Sequence, residues 1–503
     1  MKIDVKNIDI KNEICDVLVV NLFEGVKNPS GATEVINEAL NNKIVNYVIG
    51  REGFNGEFGS FYTLPVMNNE INAKKVLIAG LGKEEDFNLN KLRELSAKIL
   101  RECKNNKNDK NIVSVLHGKG IGELCTKCCA KTMAEGLTIA NYKFDKYIND
   151  EEQNKSNQIE SFIICENDET KIEKIKEGVN IGETIAKASN FAKDLINEAA
   201  YVVTPEKLAE VAKKIKGVDV KIYDKKDIEK MNMGAYLAVA RGSVNEPKFI
   251  HLTYKPQNSV PDKKVAIVGK GITFDSGGMD LKPPSSMLNM KYDMSGAACV
   301  LGIFNVLSEL NINKEVHGII AACENMISGC AYKPGDILTA KNGKTIEVDN
   351  TDAEGRLTLA DALCFADELN VDEVIDVATL TGACMVALGT CASGIMGTNQ
   401  EFIDKLIEVS KSSDEKLWQL PLFEEYDKSL KSDIADMKNT GSRYGGASTA
   451  GVFLSKFIKN KNWAHIDIAG TAFLEKPNKF GTKMANGSMV RTLLYYLKDC
   501  KCK

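Results

Sequence analysis

The sequence predicts an α/β protein with a smaller N-terminal α/β domain and a larger C-terminal domain, whose mixed, mostly parallel sheet is sandwiched by helices. Three observations support this prediction. The chain has 503 residues, which exceeds the size of one ordinary domain. Short apolar segments alternate with amphipathic helical patterns along the chain. Hydrophobic residues make up 44% and charged residues 27%, a composition typical of globular proteins with a large core.

The N-terminal domain is expected at residues 1–170. Four short apolar segments predict strands at residues 15–22, 75–80, 111–117 and 159–165. Three amphipathic segments predict helices at residues 33–42, 89–103 and 122–140. Two polar stretches rich in Asn, Lys and acidic residues predict loops at 104–110 and 147–158.

A connecting helix is expected at residues 171–197, and the C-terminal domain at 198–503. Pro205 predicts a new helix at 206–216, which Gly217 would end. Short β-branched segments predict strands at 265–268, 318–323, 345–349, 373–378 and 464–468. Amphipathic segments predict helices at 296–310 and 357–369. In such sheets, binding sites gather at the carboxyl ends of the strands.

Charge and hydropathy argue against several classes of protein. The net charge of −4 disfavours a general nucleic-acid binder or a protein that binds anionic membranes. No apolar run reaches the roughly 20 residues that span a bilayer. The first five residues alternate charged and apolar side chains without the apolar core of an export signal. We therefore expect a cytoplasmic protein without membrane partners, and nucleic acid is an unexpected partner.

The chain has 14 cysteines, which in a chain without an export signal are expected as thiols. Cys125, Cys128 and Cys129 form a CxxCC cluster that allows two interpretations. One is half of a zinc site, and the other is a set of small residues inside a helix. The second is favoured because no further CxxC pair would complete four ligands.

Charged residues lie in loops that follow predicted strands or precede predicted helices. Lys270 and Asp275 follow the strand predicted at 265–268, and glycines beside them let the backbone approach a ligand. Lys282 stands before two prolines that stiffen its loop. Asp293 immediately precedes a small-residue helix start.

The segment 350–357 is the most informative. If it is extended, then Asp352, Glu354 and Arg356 point to one side, because residues two apart share a face of an extended chain. Arg356 also opens a predicted helix, whose free N–H groups favour an anion. Two carboxylates and a guanidinium on one face are costly unless they meet partners.

Asp275, Asp293, Asp352 and Glu354 together would repel each other strongly unless cations were present. Two divalent ions would resolve that repulsion and would suit hydrolysis. The four histidines form no HExxH pair, which argues against a histidine-rich zinc site. Oxygen ligands suit Mn²⁺ or Mg²⁺ as well as Zn²⁺. Each residue alone is more often a solvated surface group, and only the set favours a metal site.

The octapeptide Asn350-Thr-Asp-Ala-Glu-Gly-Arg-Leu357 resembles the signature of the cytosolic leucyl aminopeptidases. The order of the charged residues resembles the family's spacing, and the resemblance covers roughly residues 180–495. It implies a hydrolase that releases N-terminal residues from short peptides. It also implies two divalent ions per subunit, with Mn²⁺ or Zn²⁺ expected and Mg²⁺ or Co²⁺ as alternatives. A bound bicarbonate and a homohexamer are further family features.

The resemblance assigns a role to each residue. Asp275 and Glu354 would bridge the two metals. Asp352 would complete the ligands of the first metal, and Lys270 and Asp293 would complete those of the second. Lys282 would face the oxyanion, and Arg356 would hold the bicarbonate that acts as general base. The residues expected to line an apolar pocket for a Leu- or Met-like side chain are Met290, Thr379 and Gly382.

Two other function classes remain open at this point. A two-metal phosphatase would also use clustered carboxylates, although it would be expected to use histidines. A DNA-binding or scaffold role is an alternative without catalysis, which the acidic net charge disfavours.

Overall fold

The computed structural model describes residues 1–67, 69–118, 120–121, 124–149, 158–256 and 260–499. The chain forms two compact units. The first contains Met1–Lys187 and Pro477–Thr482, and the second contains Ala188–Lys476 and residues 483–499. This division falls inside a long helix.

The first unit is built on one sheet. Its strands are β1 (Lys2–Lys6), β2 (Cys15–Leu22), β3 (Phe61–Pro65), β4 (Ala73–Gly80), β5 (Asn111–Val115) and β6 (Ser161–Cys165). Its helices are α1 (Ala32–Ala39), α2 (Leu89–Lys104), α3 (Thr126–Asn141) and α4 (Glu169–Asn197), of which α4 continues into the second unit. Shorter helical turns lie at Ile10–Asn12, Ile44–Ile49 and Glu84–Asp86.

The sheet order is β1-β6-β5-β2-β4-β3, and every neighbouring pair is parallel except β3 with β4. Strand β2 shows that both faces of the sheet are buried. Val17 and Val19 lie in one hydrophobic cluster, whereas Leu18 and Val20 lie in another. An apolar run without polar alternation is typical of a strand that is buried on both sides.

The four strands predicted for this unit are present, and β2 has the predicted bounds. The prediction missed β1 and β3, which are short edge strands with polar residues. The loop predicted at 147–158 lies largely outside the described residues. The cysteine cluster belongs to helix α3. The Cys125 thiol caps that helix by accepting a hydrogen bond from Cys128 N at 3.1 Å, while Cys128 and Cys129 are buried.

The second unit contains the larger sheet. Its longer strands are β7 (Asp219–Tyr223), β8 (Lys248–Tyr254), β9 (Lys264–Asp275), β10 (Glu315–Asn325), β13 (Glu373–Ala378), β14 (Ser393–Gly397) and β17 (Trp463–Asp467). Its short strands are β11 (Ile337–Thr339), β12 (Thr345–Glu347), β15 (Leu417–Gln419), β16 (Met437–Lys438), β18 (Phe473–Leu474) and β19 (Met484–Ala485).

The helices of the second unit fall between these strands. The first five are α5 (Pro205–Lys213), α6 (Lys225–Lys230), α7 (Gly234–Ala240), α8 (Pro284–Met287) and α9 (Ser295–Phe304). The next five are α10 (Gly355–Glu368), α11 (Gly382–Leu388), α12 (Gln400–Ser413), α13 (Gly446–Ser455) and α14 (Val490–Lys498). Short 3-10 turns lie at Met290–Tyr292 and Glu424–Leu430.

The main sheet has the order β15-β14-β17-β13-β9-β10-β8-β7, and its centre, from β17 to β10, is parallel. Helices cover both of its faces. Ala266 and Val268 of β9 share a core with Leu357 and Leu363 of α10. Gly269, on the opposite face, lies against the backbone of α9. The sheet is therefore mixed and sandwiched by helices, as predicted.

Three details of the prediction were wrong. The strand predicted at 265–268 continues to Asp275, so Lys270 lies within the strand and not in a loop that follows it. The segment predicted as a strand at 345–349 is a strand only at Thr345–Glu347, and it pairs with β11 and β16 in a separate small sheet. Residues 350–354 are not extended. They form a turn, and α10 begins at Gly355, so Arg356 lies in the first turn of a helix. No helix among the described residues is long and apolar enough to cross a membrane.

Candidate metal centre

Strand β9 places two of the predicted site residues near the carboxyl end of the main sheet. Lys270 lies in the strand and Asp275 ends it, and both side chains are buried. Asp275 Oδ1 accepts hydrogen bonds from Gly277 N at 2.9 Å and from Asn325 Nδ2 at 2.8 Å. Those two bonds orient the carboxylate, so that its other oxygen faces the site.

Lys270 connects three segments that are distant in sequence. Its ammonium lies 2.9 Å from Asp293 Oδ2 and 2.9 Å from Glu354 Oε1, and it donates a hydrogen bond to Thr379 O at 3.0 Å. Thr379 also donates through Oγ1 to Asp293 Oδ1 at 2.8 Å. Lys270, Asp293 and Glu354 therefore form one buried group.

Lys282 makes the matching connection on the other side of the site. Its ammonium lies 2.8 Å from Asp275 Oδ2 and 2.5 Å from Asp352 Oδ1. The loop that carries Lys282 is tied back by a bond from its own N–H to Ser276 O at 3.0 Å. Each lysine thus bridges two carboxylates. The two groups are neighbours, because carboxylate oxygens of Asp275, Asp293 and Glu354 lie within 4.8 Å of one another.

Gly355 lets α10 begin next to Lys270. A Cβ atom at this position would lie 2.5 Å from Lys270 Cε and 2.6 Å from its Nζ. Such distances are far below normal van der Waals contact, so a side chain here would displace the lysine. Glu354, just before this glycine, occupies the N-cap position of α10, but its side chain makes no capping hydrogen bond and is free to face the site.

Burial and neighbouring charges shift the proton affinity of the site. Burial raises the pKa values of Asp293, Asp352 and Glu354 above those of ordinary carboxyl groups, although the lysines oppose this shift. Burial alone would lower the pKa values of Lys270 and Lys282, but the surrounding carboxylates outweigh it and raise both. A cation placed between these carboxylates would offset the cost of burying their negative charges.

The donor set fits divalent cations. Asp275, Asp293 and Glu354 each offer a carboxylate oxygen within 4.8 Å of the others, and among the described residues this is the group of three that could hold a metal. Glu354 Oε2 is buried and accepts no hydrogen bond from the described chain. Buried carboxylate oxygens without partners are costly, and a hard cation would satisfy them.

Arg356 lies beside this group at the start of α10. Its Nη1 donates to Asn439 O at 2.9 Å, whereas its buried Nε has no hydrogen-bond partner in the described structure. Burial lowers the pKa of Arg356 to about 10, against the opposing charges of Glu354 and Asp467, so the guanidinium stays charged at neutral pH. With the open first turn of α10, these donors suit a small oxyanion.

The three predicted pocket residues lie in different surroundings. Thr379 is buried and contacts Lys270 and Asp293 directly. Met290 is half-buried in the 3-10 turn that precedes Asp293. Gly382 is exposed at the first position of α11, and a Cβ atom there would meet open space. The structure thus joins Thr379 to the carboxylates, while Met290 and Gly382 make no hydrogen bond to them.

Sequence reasoning missed the residues that hold the loops in place. Asn325, at the end of β10, donates to Asp275 and to Thr351 O at 3.0 Å. Asn439 accepts from Asp349 N at 2.8 Å and donates to Asn350 O at 2.7 Å. Asp280 accepts from Thr351 N at 2.7 Å. Only the position of Asn325 at a strand end was a signal; Asn439 is too far along the chain to be linked to this loop from sequence.

Comparison with known proteins decides the family. Residues 190–494 match the profile described as "Cytosol aminopeptidase family, catalytic domain", and residues 19–150 match that described as "Cytosol aminopeptidase family, N-terminal domain". The chain belongs to the cytosol aminopeptidase family. Relatives named "Probable cytosol aminopeptidase" include one from Sulfurihydrogenibium sp., 44% identical over 99% of this chain and 98% of its own. Another, from Persephonella marina, is 42% identical over 99% of both chains.

Solved structures agree with this membership. A mutant of tomato leucine aminopeptidase is 34% identical in sequence and has a TM-score of 0.86. The match covers 99% of this chain and 96% of the tomato chain. The bottromycin maturation enzyme BotP in complex with Mn is 29% identical, with a TM-score of 0.84 over 96% of this chain and 99% of its own. As a cytosol aminopeptidase family member, the protein is a metal-dependent hydrolase of the metalloexopeptidase class, which decides against the phosphatase alternative.

Proposed function

We propose that this cytosol aminopeptidase family member releases N-terminal Leu- or Met-like residues from short peptides, with two divalent cations at the carboxylate cluster. The observation that carries the proposal is the group of Asp275, Asp293 and Glu354, whose carboxylate oxygens lie within 4.8 Å of one another. Lys270 contacts Asp293 and Glu354, and Lys282 joins Asp275 to Asp352. Mn²⁺ and Zn²⁺ are the proposed ions, and Mg²⁺ and Co²⁺ would also suit oxygen-rich ligands.

The proposed ligands divide into two sets that share Asp275 and Glu354 as bridges. Asp352 completes the first set, and Lys270 with Asp293 completes the second. When bound, the ions would activate the attacking water and polarise the peptide carbonyl. Lys270 must bind as a neutral amine, and adjacent divalent charge would lower its proton affinity and so permit this.

Lys282 is proposed as the electrophile that faces the developing oxyanion. Burial alone would lower the pKa of Lys282, but the carboxylates of Asp275 and Asp352, within 2.8 Å of its ammonium, outweigh burial and raise that pKa in the chain itself. The proposed role requires that this ammonium stays charged when the ions are bound. Pro283 and Pro284 stiffen the loop behind it, so the charge is held in place before the reaction begins. A preplaced cation stabilises the transition state more than the ground state, since negative charge grows on the carbonyl oxygen during attack.

Arg356 is proposed to hold a bicarbonate, which would supply the general base for the attacking water. The buried Nε of Arg356, without a hydrogen-bond partner in the described chain, and the open first turn of α10 support this assignment. We expect Arg356→Ala to lower kcat by roughly a hundredfold to ten-thousandfold, the range of a lost general base, while metal content stays near that of the wild type. Activity assays in buffer that contains bicarbonate, together with metal analysis, measure both effects.

Added bicarbonate should stimulate the depleted wild-type protein and leave Arg356→Ala unchanged. If the variant works as fast as the wild type, the base lies elsewhere in the site.

Met290, Thr379 and Gly382 are proposed to line the pocket for the N-terminal side chain, and an apolar lining favours Leu or Met. The direct test compares leucine and methionine anilides with aspartate anilide, N-acetyl-leucine anilide and a phosphate ester. We expect efficient cleavage of the first two only, because catalysis needs both a fitting side chain and a free N-terminus. Equal cleavage of the acetylated substrate would contradict an aminopeptidase pocket.

A variant can separate the pocket from the chemistry. Gly382→Phe should lower kcat/KM for leucine anilide roughly tenfold more than for alanine anilide, because a bulky group in the open space at this position takes up the room of the larger side chain. Gly382→Ala is the matched control and should change the ratio little.

Assembly and location are proposed from family resemblance. We propose a cytoplasmic homohexamer without membrane partners, in which an enclosed interior would restrict substrates to short peptides, and nucleic acid is not proposed as a partner. Light scattering at micromolar concentration should give six times the 55.1 kDa of one chain. A mass of one chain would refute the hexamer.

A further inference from the structure

A cavity of about 740 Å³ lies in the first unit, and none of the metal-site residues lines it. Its walls come from chain segments that follow the strands of the sheet. Residues after β2, including Phe23 and Gly31, form one wall, and residues after β5, including Leu116 and Gly120, form another. Cavities of this size hold small organic ligands in other proteins.

The topology of the sheet explains why the cavity lies there. Strands β2 and β5 are parallel neighbours. The chain leaving β2 passes through α1 toward β3 and β4 on one side, whereas the chain leaving β5 passes through α3 to β6 on the other. The two connections diverge and leave a crevice at the carboxyl ends of the strands. In open α/β sheets, this switch point is where ligands bind.

One wall offers hydrogen-bond donors from the backbone. Helix α1 begins at Ala32 without a side-chain cap, and its first internal bond runs from Val35 N to Gly31 O. The N–H groups of residues 32–34 therefore have no acceptor in the described structure. Thr33 Oγ1 donates to Asn21 O at 2.7 Å and anchors the helix start to the end of β2.

Glycines keep both walls open to a ligand. Gly31, with φ of +61°, and Gly120, with φ of +83°, have open space where a Cβ atom would lie. The backbone can therefore approach a bound group closely on two sides.

The remaining walls define the chemistry of the ligand. Phe23, Val26 and Ile121 provide apolar surface. Four carboxylates also line the cavity, those of the buried Glu166 and of Asp9, Glu34 and Glu84. No Lys, Arg or His is among the described lining residues. An anionic group would therefore be received by backbone N–H groups, a planar ring by apolar side chains, and hydroxyl groups by carboxylates.

We propose that this cavity binds a phosphorylated nucleoside. The phosphate lies at the start of α1, the base contacts the apolar wall, and the ribose hydroxyls donate to carboxylates. This site is independent of the proposed peptidase mechanism, since its residues belong to the first unit and the metal-site residues to the second.

The test is calorimetric titration of the full chain with the four ribonucleoside monophosphates, adenosine and inorganic phosphate. At least one monophosphate should bind saturably, and the matching nucleoside should bind at least tenfold more weakly. Ser30→Glu places a negative charge on the exposed residue that precedes Gly31, and should weaken binding roughly tenfold. Ser30→Gln has nearly the same size without the charge and should bind like the wild type.

Leucine anilide cleavage, unchanged in both Ser30 variants, would show that the second unit is intact, and an unchanged circular dichroism spectrum and Tm would show the same for the first unit. If no monophosphate binds at millimolar concentration, the cavity is not a nucleotide site. Equal binding of nucleoside and nucleotide, or wild-type affinity in Ser30→Glu, would overturn the placement of the phosphate.

Discussion

Replacing Glu354 with alanine is expected to remove bound metal and lower kcat/KM by roughly a thousandfold. Glu354 is proposed to bridge both cations, so its loss weakens two sites at once. The Lewis acid contribution of such ions is several kcal/mol, which corresponds to about three orders of magnitude in rate. Metal analysis of the dialysed variant, together with steady-state kinetics, measures the two effects.

Three controls sharpen this experiment. Wild-type protein treated with a chelator should fall to a similar rate and recover with Mn²⁺, Zn²⁺ or Co²⁺, whereas the variant should not recover. Glu354→Gln keeps the volume of the buried side chain and should behave like Glu354→Ala. Glu368→Gln, on the same helix but exposed beside Lys341, should retain metal and activity. Wild-type metal content in Glu354→Gln would disprove the bridging role.

Lys282→Ala should lower kcat roughly a hundredfold or more while both cations stay bound. The loss of a single oxyanion donor costs about 3–4 kcal/mol in enzymes where it has been measured, and a charged donor is proposed here. KM should change less than kcat, because the interaction strengthens as charge develops on the carbonyl oxygen.

Lys270→Ala is the matched comparison, since the two lysines are twelve positions apart and each contacts two carboxylates. It should instead lower metal content at one of the two sites, because Lys270 is proposed as a ligand of the second ion. Metal stoichiometry and kcat measured on both variants separate the roles. Metal loss in Lys282→Ala with full metal in Lys270→Ala would reverse the assignment.

Local patterns were sufficient to predict much of the fold. Strand β2 was predicted from the apolar run at residues 17–20, and α4 was predicted as a helix within two residues of its observed start. Both have many residues of one periodicity, which is the strongest signal in a single sequence. The edge strand β3 lacked such a signal, because its pairing with β4 is antiparallel and only Leu64 is fully buried.

The site was predicted in part for a physical reason that proved incorrect. The convergence of Asp352 and Glu354 was attributed to an extended chain, whereas a turn and the start of α10 bring them to the site. The long-range hydrogen bonds of Asn325 and Asn439 were missed because they join segments from different parts of the chain. A sequence read in short windows contains no information about such pairs.

The contact between Gly355 and Lys270 bears on how this protein tolerates genetic change. Within residues 350–357, most positions are constrained because they contribute particular atoms. Gly355 is constrained because it must have no side-chain atoms, since even one methyl group would occupy the space of the Lys270 side chain. A catalogue of inactivating variants would therefore include a residue with no functional group, and its defect would be spatial and not chemical. The lysine chain would have to move away from the added group, and its contacts with Asp293 and Glu354 would be lost although no residue that makes them had changed.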